Sequence, residues 1–154
     1  GERKGGHRLV HNDFTTKFGS TLDPFLRETG INPSRIVVYN LWRRFDEDGV
    51  DTPFAVCDKR SVSEKELIPT DLFNYLPDQP EALTVEICQS SHSESHKWYF
   101  YPEMTKDEVL MFKTYDSDEK PFIPTLHSAF DYPDTPKGVT PRESIEVRAV
   151  CFFD

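Results

Sequence analysis

His11, Asn12 and Asp13 near the start of the chain, His127 far downstream, and Arg142, Glu143 and Ser144 before the final apolar run are residue types from which a reactive centre can be built. Two imidazoles and one carboxylate make a facial set that holds non-heme Fe(II) by one side and leaves the other side open to oxygen chemistry. His11 and Asp13 are separated by one residue, so they share a face of an extended segment, where side chains alternate. His127 would complete the set from a strand brought alongside by folding. Neutral imidazole with carboxylate suits a borderline ion such as Fe(II) better than a thiolate set does. Arg142, fifteen residues beyond His127, adds a planar cation that matches a carboxylate through two parallel charge-assisted hydrogen bonds. Ser144, on the same strand face, supplies a further donor. Arg148 shares that parity and is the rival for the same role. The plainer account of Arg142 is a surface ion pair with Glu143 or Glu146, worth about 0–1 kcal/mol.

Strands must position these groups. The stretches at 35–44, 52–58, 81–89, 96–102, 108–116 and 143–154 are rich in β-branched and aromatic residues and are bounded by polar or proline-bearing turns. Helical signals are short. Thr21 is expected to N-cap a turn and a half through DPFLRET, ended by Gly30, and PTDLFNYL at 69–76 is expected to form a second segment. The 12 prolines fall in connections, including PDQP at 77–80 and the stretch from Pro121 to Pro141, which suits loops framing a pocket. The predicted fold is mainly β: one domain over residues 1–154, an antiparallel double-stranded β-helix or jelly roll with a few short helices.

With 154 residues, of which 36% are apolar and 13% aromatic, the chain has the material for one core. Its 27 acidic residues against 18 basic ones give a net charge of −9, which disfavours nucleic acid as a partner. No apolar run approaches the roughly 18 residues of a membrane span, and no signal-like segment follows GERKGGHR. Cys57, Cys88 and Cys151 are odd in number and sit in apolar runs, so free thiols and a reducing, cytoplasmic compartment are expected. The first candidate ligand falls within eleven residues of the start, so the chain is expected to be an N-terminally truncated, processed or split polypeptide. An incomplete sheet edge would then favour a homo-oligomer.

Substrate contacts are sought in YNLWRR, where alternation sends Tyr39, Leu41 and Arg43 to one face and Asn40, Trp42 and Arg44 to the other. Arg43 is a candidate for an acidic substrate, since a buried arginine needs a carboxylate, and a solvated strand end is the alternative. Trp42 is a candidate platform, although Trp42, Trp98, Tyr99 and Tyr101 are more simply core or rim aromatics. His92 and His96 have metal-binding helical spacing, but SSHSESHKW is serine-rich and runs into a strand. Asp116, Asp118 and Glu119 lack the glycine and ligand ladder of a calcium loop and read as a solvated acidic turn.

YNLWRR at 39–44, FAVCDKRSV at 54–62, HKWYFYPEMTKDEVLMFKTYDS at 96–117, and LHSAFDYPDTP with TPRESIEVRAVCFF between 126 and 153 resemble the fungal hydroxylase/desaturase family that includes gibberellin desaturase and the aspergillic-acid pathway oxidase. The resemblance implies an Fe(II)- and 2-oxoglutarate-dependent oxygenase, consuming O2, that hydroxylates or desaturates a small-molecule secondary metabolite. It also implies that His11, Asp13 and His127 are iron ligands and that Arg142 with Ser144 grips the cosubstrate's far carboxylate. The competing functions are a non-catalytic jelly-roll module that binds a small molecule or a protein, and a degenerate or truncated relative of the enzymes.

Overall fold

In the computed structural model, which describes residues 7–45, 51–73, 85–135 and 137–154, antiparallel strands build two facing sheets. Strands β1 (His11–Asn12), β3 (Phe54–Cys57), β4 (Leu67–Leu72), β5 (Val85–Ser90), β6 (Trp98–Phe100) and β8 (His127–Ala129) form one sheet in the order β4-β5-β1-β8-β3-β6. Strands β2 (Arg35–Arg44), β7 (Leu110–Asp116) and β9 (Ser144–Phe153) form the other, in the order β7-β2-β9. All six stretches read as strands from their composition are strands. The 81–84 part of one and the PDQP turn lie outside the described residues.

β2 organises the smaller sheet. It pairs along its whole length with β9 and through most of it with β7, with a bulge between Val38 and Tyr39 against β7. Beyond that bulge Asn40, Trp42 and Arg44 are buried, whereas Tyr39, Leu41 and Arg43 are only partly so. The face assignment from alternation therefore holds.

Short helices close one side. The α1 segment (Phe18–Thr21) and α2 (Asp23–Thr29) place Phe18, Leu22 and Leu26 on a cluster of Ile36, Val38, Tyr115 and Phe122. Gly30 ends α2 in the left-handed region, with φ of 71°, and its N–H donates to the Leu26 carbonyl. Gly19 is required by close approach, since a Cβ there would stand 2.6 Å from the Tyr115 hydroxyl.

Two local expectations fail. Leu22 rather than Thr21 occupies the N-cap of α2, and Thr21 closes α1 with its hydroxyl donating to the Phe18 carbonyl. The segment expected to be helical at 69–76 is strand through Leu72, because β4 lies at the sheet's edge, where Pro69 costs no ladder hydrogen bond on its open side. Its residues 74–76 lie outside the described set.

The acidic turn serves the fold. Asp116 is 4% exposed and takes two hydrogen bonds from Arg35, at 2.9 and 2.6 Å, and one from Lys113 at 2.6 Å. Arg35, then burial opposing it, then Lys113 set its acidity, and the net effect holds the carboxyl far below the usual carboxylate range. Glu119 pairs with Lys59, so these carboxylates are already matched to cations. A depressed folded-state pKa stabilises the fold above the unfolded-state value of about 3.9, and that stabilisation is lost as pH falls below it. Asp116→Asn is expected to lower stability at neutral pH by about 1–2 kcal/mol, given two partly exposed partners. Urea unfolding across pH should then show a weaker acid dependence below pH about 4 than the parent chain shows.

Candidate metal centre

The centre begins with strand pairing. His11 on β1 lies directly opposite His127 on β8, and facing residues of an antiparallel pair share one side of the sheet. The imidazole centroids stand 4.5 Å apart. Asp13, two residues past His11, falls on that same face. One ligand atom from each of His11, Asp13 and His127 lies within 4.8 Å of the others. The sequence-predicted triad is therefore assembled.

Hydrogen bonds orient the rings. Nδ1 of His11 meets the Leu9 carbonyl at 2.7 Å, and Nδ1 of His127 meets the Thr125 carbonyl at 3.1 Å. A carbonyl only accepts, so each ring carries its proton on Nδ1 and turns the Nε2 lone pair inward. Those Nε2 atoms stand 3.7 Å and 3.9 Å from the Asp13 carboxylate oxygens. This tautomer is the one a metal-ligating imidazole needs, with its other nitrogen fixed by a backbone carbonyl.

Burial keeps His127 neutral. At 2% exposed it packs against the rings of Phe54 and Phe112, and burial followed by the neighbouring His11 depresses its pKa. Burial works against the Asp13 charge too, but the Arg148 cation and the hydrogen bonds from Asn40 and Arg148 favour it, and the carboxyl lies below its ordinary value. Arg148 grips Asp13 with two hydrogen bonds, Nε to Oδ2 at 3.0 Å and Nη2 to Oδ1 at 2.9 Å. Asn40 donates to Oδ2 from inside, at 2.7 Å. Glu146 sits beside this pair, its pKa raised by burial and then by Asp13, and it shares Arg148 at 2.9 Å.

The triad opens into a cavity of about 350 Å³ whose wall includes Phe14, Trp42, Phe54, Ile87, Arg142 and Ser144. The predicted clamp residues thus reach the same space as the triad. Arg142 precedes β9, lies over the Trp42 ring at 5.1 Å and donates to the Thr52 carbonyl. Trp42 in turn stacks on Phe54, at 4.7 Å and 13° between planes. Trp42 therefore backs the arginine and lines the cavity.

Arg43 does not line the cavity. It projects from the other face of β2, over the ring of Phe45, so the acidic-substrate role has no support from its position. His92 meets Glu94 while His96 meets Glu66, which separates the second histidine pair onto two different carboxylates. Asn40, Glu146 and His7, which also approaches the triad, were not singled out from the sequence. For Asn40 a signal existed: an amide on the inward face of an otherwise apolar strand segment needs a buried partner.

The donor chemistry fits Fe(II). Two neutral nitrogens and a carboxylate converge, with no thiolate among them. Cys57 and Cys88 are buried free thiols elsewhere, and Cys151 is a half-buried one.

Known proteins share this chain's sequence and shape. It is 37% identical over 119 residues to the Fe(II)/2-oxoglutarate-dependent dioxygenase nvfI of Aspergillus novofumigatus, covering 77% of this chain and 41% of that protein. It is 36% identical over 156 residues to the hydroxylase/desaturase efuI of Hormonema carpetanum, covering 94% of this chain and 51% of the relative. The solved structure of the iron and alpha-ketoglutarate-dependent endoperoxidase NvfI superposes with a TM-score of 0.77 at 30% identity, covering 96% of this chain and 54% of that one. The chain thus spans about half the length of these relatives. Iron and 2-oxoglutarate-dependent oxygenases of this kind have the jelly-roll fold, in accord with the two facing antiparallel sheets. Residues 1–152 match the family model described as YDMC, oxidoreductase/YMDC permease-like domain, and the chain belongs to that family, with fungal iron and 2-oxoglutarate-dependent hydroxylases and desaturases among its relatives.

Proposed function

We infer that this chain carries the reactive centre of an Fe(II)- and 2-oxoglutarate-dependent oxygenase acting on a small molecule, in the manner of its fungal relatives of secondary metabolism. The observation that supports this most strongly is the convergence of His11 Nε2, His127 Nε2 and the Asp13 carboxylate at the wall of a cavity that Arg142 also lines. His11, Asp13 and His127 would hold the ion. Bound Fe(II) would supply redox chemistry toward O2 and a coordination site for the 2-oxo acid, with the overall conversion of 2-oxoglutarate, O2 and substrate to succinate, CO2 and oxidised product.

The chain's own groups do the rest. Leu9 and Thr125 carbonyls fix the tautomers, so no ring has to move its proton before it ligates. Arg142, held over Trp42 and tied to Thr52, presents a pre-oriented guanidinium for the cosubstrate's distal carboxylate, and Ser144 adds a hydroxyl in the same cavity. Arg148 is the weaker candidate for that clamp because it already grips the metal-ligating carboxylate. Phe14, Phe54 and Ile87 give the cavity an apolar wall, which suits a hydrophobic substrate and excludes water from the reacting atoms. The absence of disulfides among its three cysteines supports a reducing compartment such as the cytoplasm. Among the described residues no helix is long and apolar enough to cross a membrane.

Anaerobic titration of the purified chain with Fe(II) and then 2-oxoglutarate is expected to give a visible charge-transfer absorption that disappears on admitting O2 as succinate forms. His127→Ala should abolish the absorption and the succinate. A folded parent chain giving neither would overturn the oxygenase reading in favour of a binding module.

Arg142→Lys separates the two arginines. A point charge cannot reproduce a bidentate, ring-stacked fork, so the 2-oxoglutarate concentration for half-saturation should rise about 10-fold to 100-fold, the range of one charge-assisted hydrogen bond. Iron affinity measured before 2-oxoglutarate is added should stay unchanged. An unaltered 2-oxoglutarate requirement would remove Arg142 from the clamp.

A further inference from the structure

The geometry points to a two-residue relay, Thr114 to Asn40, that fixes the Asp13 carboxylate so that a single oxygen, Oδ1, is left to ligate the metal. This assignment rests on the metal-centre reading above and names positioning residues, since neither Thr114 nor Asn40 stands among the three ligands.

The reasoning is one of counting acceptors. An ionised carboxylate offers about four lone-pair sites, two on each oxygen. Oδ2 receives Asn40 Nδ2 at 2.7 Å and Arg148 Nε at 3.0 Å, which fills it. Among the described residues Oδ1 receives Arg148 Nη2 alone, at 2.9 Å, and it stands 3.7 Å from His11 Nε2. Fixing the carboxylate in this way leaves Oδ1, beside the His11 imidazole, with the lone-pair site that Oδ2 no longer has.

Asn40 could do this only with its amide correctly turned. It is wholly buried on β2, and a flipped side chain would aim its carbonyl oxygen at a carboxylate oxygen, two acceptors with no proton between them. Thr114, 1% exposed on the adjacent β7, favours the productive orientation by donating its hydroxyl to Asn40 Oδ1 at 3.0 Å, a shorter bond than a flipped amide would leave it. The same hydroxyl stands 3.4 Å from the Val38 carbonyl, a longer and weaker alternative. Asn40 thus transmits orientation from the smaller sheet, β7 and β2, to a ligand just past the end of β1 of the larger one, and Arg148 on β9 reaches the same carboxylate.

Co(II) serves as the probe, added to the purified chain under argon and followed by its visible absorption. Asn40→Leu is expected to weaken Co(II) binding about 10-fold to 100-fold, the usual consequence of removing a group that orients a ligand. Thr114→Val, which deletes the hydroxyl at nearly constant volume, should weaken it by a smaller factor, about 3-fold to 10-fold. Thr114→Ser, which keeps the hydroxyl and loses a methyl, should restore parental affinity. Urea unfolding without metal is measured alongside. If Thr114→Val and Thr114→Ser bind cobalt equally, or if Thr114→Val loses stability while keeping its affinity, the relay is only structural and the inference fails. Should Asn40→Leu not fold, the Thr114 pair decides the matter alone. A parent chain that binds no Co(II) or Fe(II) overturns the metal-centre reading itself, and this inference with it.

Discussion

The antiparallel register that sets His11 opposite His127 is the constraint on which the rest of the site depends. Strand side chains alternate with a period of two, so a slip of one residue between β1 and β8 would carry one imidazole to the outer face. The pairing is short: β1 has two residues and β8 three. Neither strand could hold register alone. β5 grips β1 on its far side, with His11 opposite Gln89 and Asn12 opposite Cys88, and β3 grips β8, with Val56 opposite His127. The ligand-bearing strands are thus central in a six-stranded sheet, where both edges of each are satisfied.

Electrostatics set the second condition. Burial disfavours every charge here, and the centre answers by keeping His127 neutral and surrounding Asp13 with donors. A divalent cation entering between three such groups meets lone pairs that need no proton removed from His127. Glu146 adds a second carboxyl beside Arg148 and Asp13, and burial with the Asp13 charge makes its ionisation harder. Arg148 therefore balances two acidic groups at once, with a side chain that is 48% exposed.

Much of this was legible in the chain, and the rest was not for identifiable reasons. Six strands announce themselves because they sit within longer β-branched and aromatic runs, and the triad does so through residue types whose chemistry is narrow. β1, β8 and β4 escaped composition because the first two are too short to show a period and the third contains Pro69, which reads as a breaker unless the strand is known to be an edge. Arg43 and Arg44 differ in nothing but parity, and parity becomes useful only when the inward face is known. Asn40 had the right parity, but the reason for a buried amide, a carboxylate twenty-seven residues away in sequence, exists only in the folded chain. Tertiary partners of this kind carry no local signature.

The two arginines at the end of the chain show how position divides similar residues between roles. Arg142 and Arg148 have the same parity and the same fork of donors, yet the first lies over the Trp42 ring and the second is committed to Asp13. A cosubstrate carboxylate drawn to Arg148 would have to compete with Asp13 for both donors, and Asp13 would lose the contacts that offset its burial. Drawn to Arg142, the same carboxylate meets a cation pre-oriented by an aromatic face and a backbone carbonyl, with Asp13 undisturbed. The aromatic stack of Trp42 on Phe54 links the clamp to β3, which is paired with the strand that carries His127. Clamp and metal ligand therefore stand on opposite sheets, and the packing of Trp42 against Phe54 across the core, rather than backbone pairing, ties one to the other.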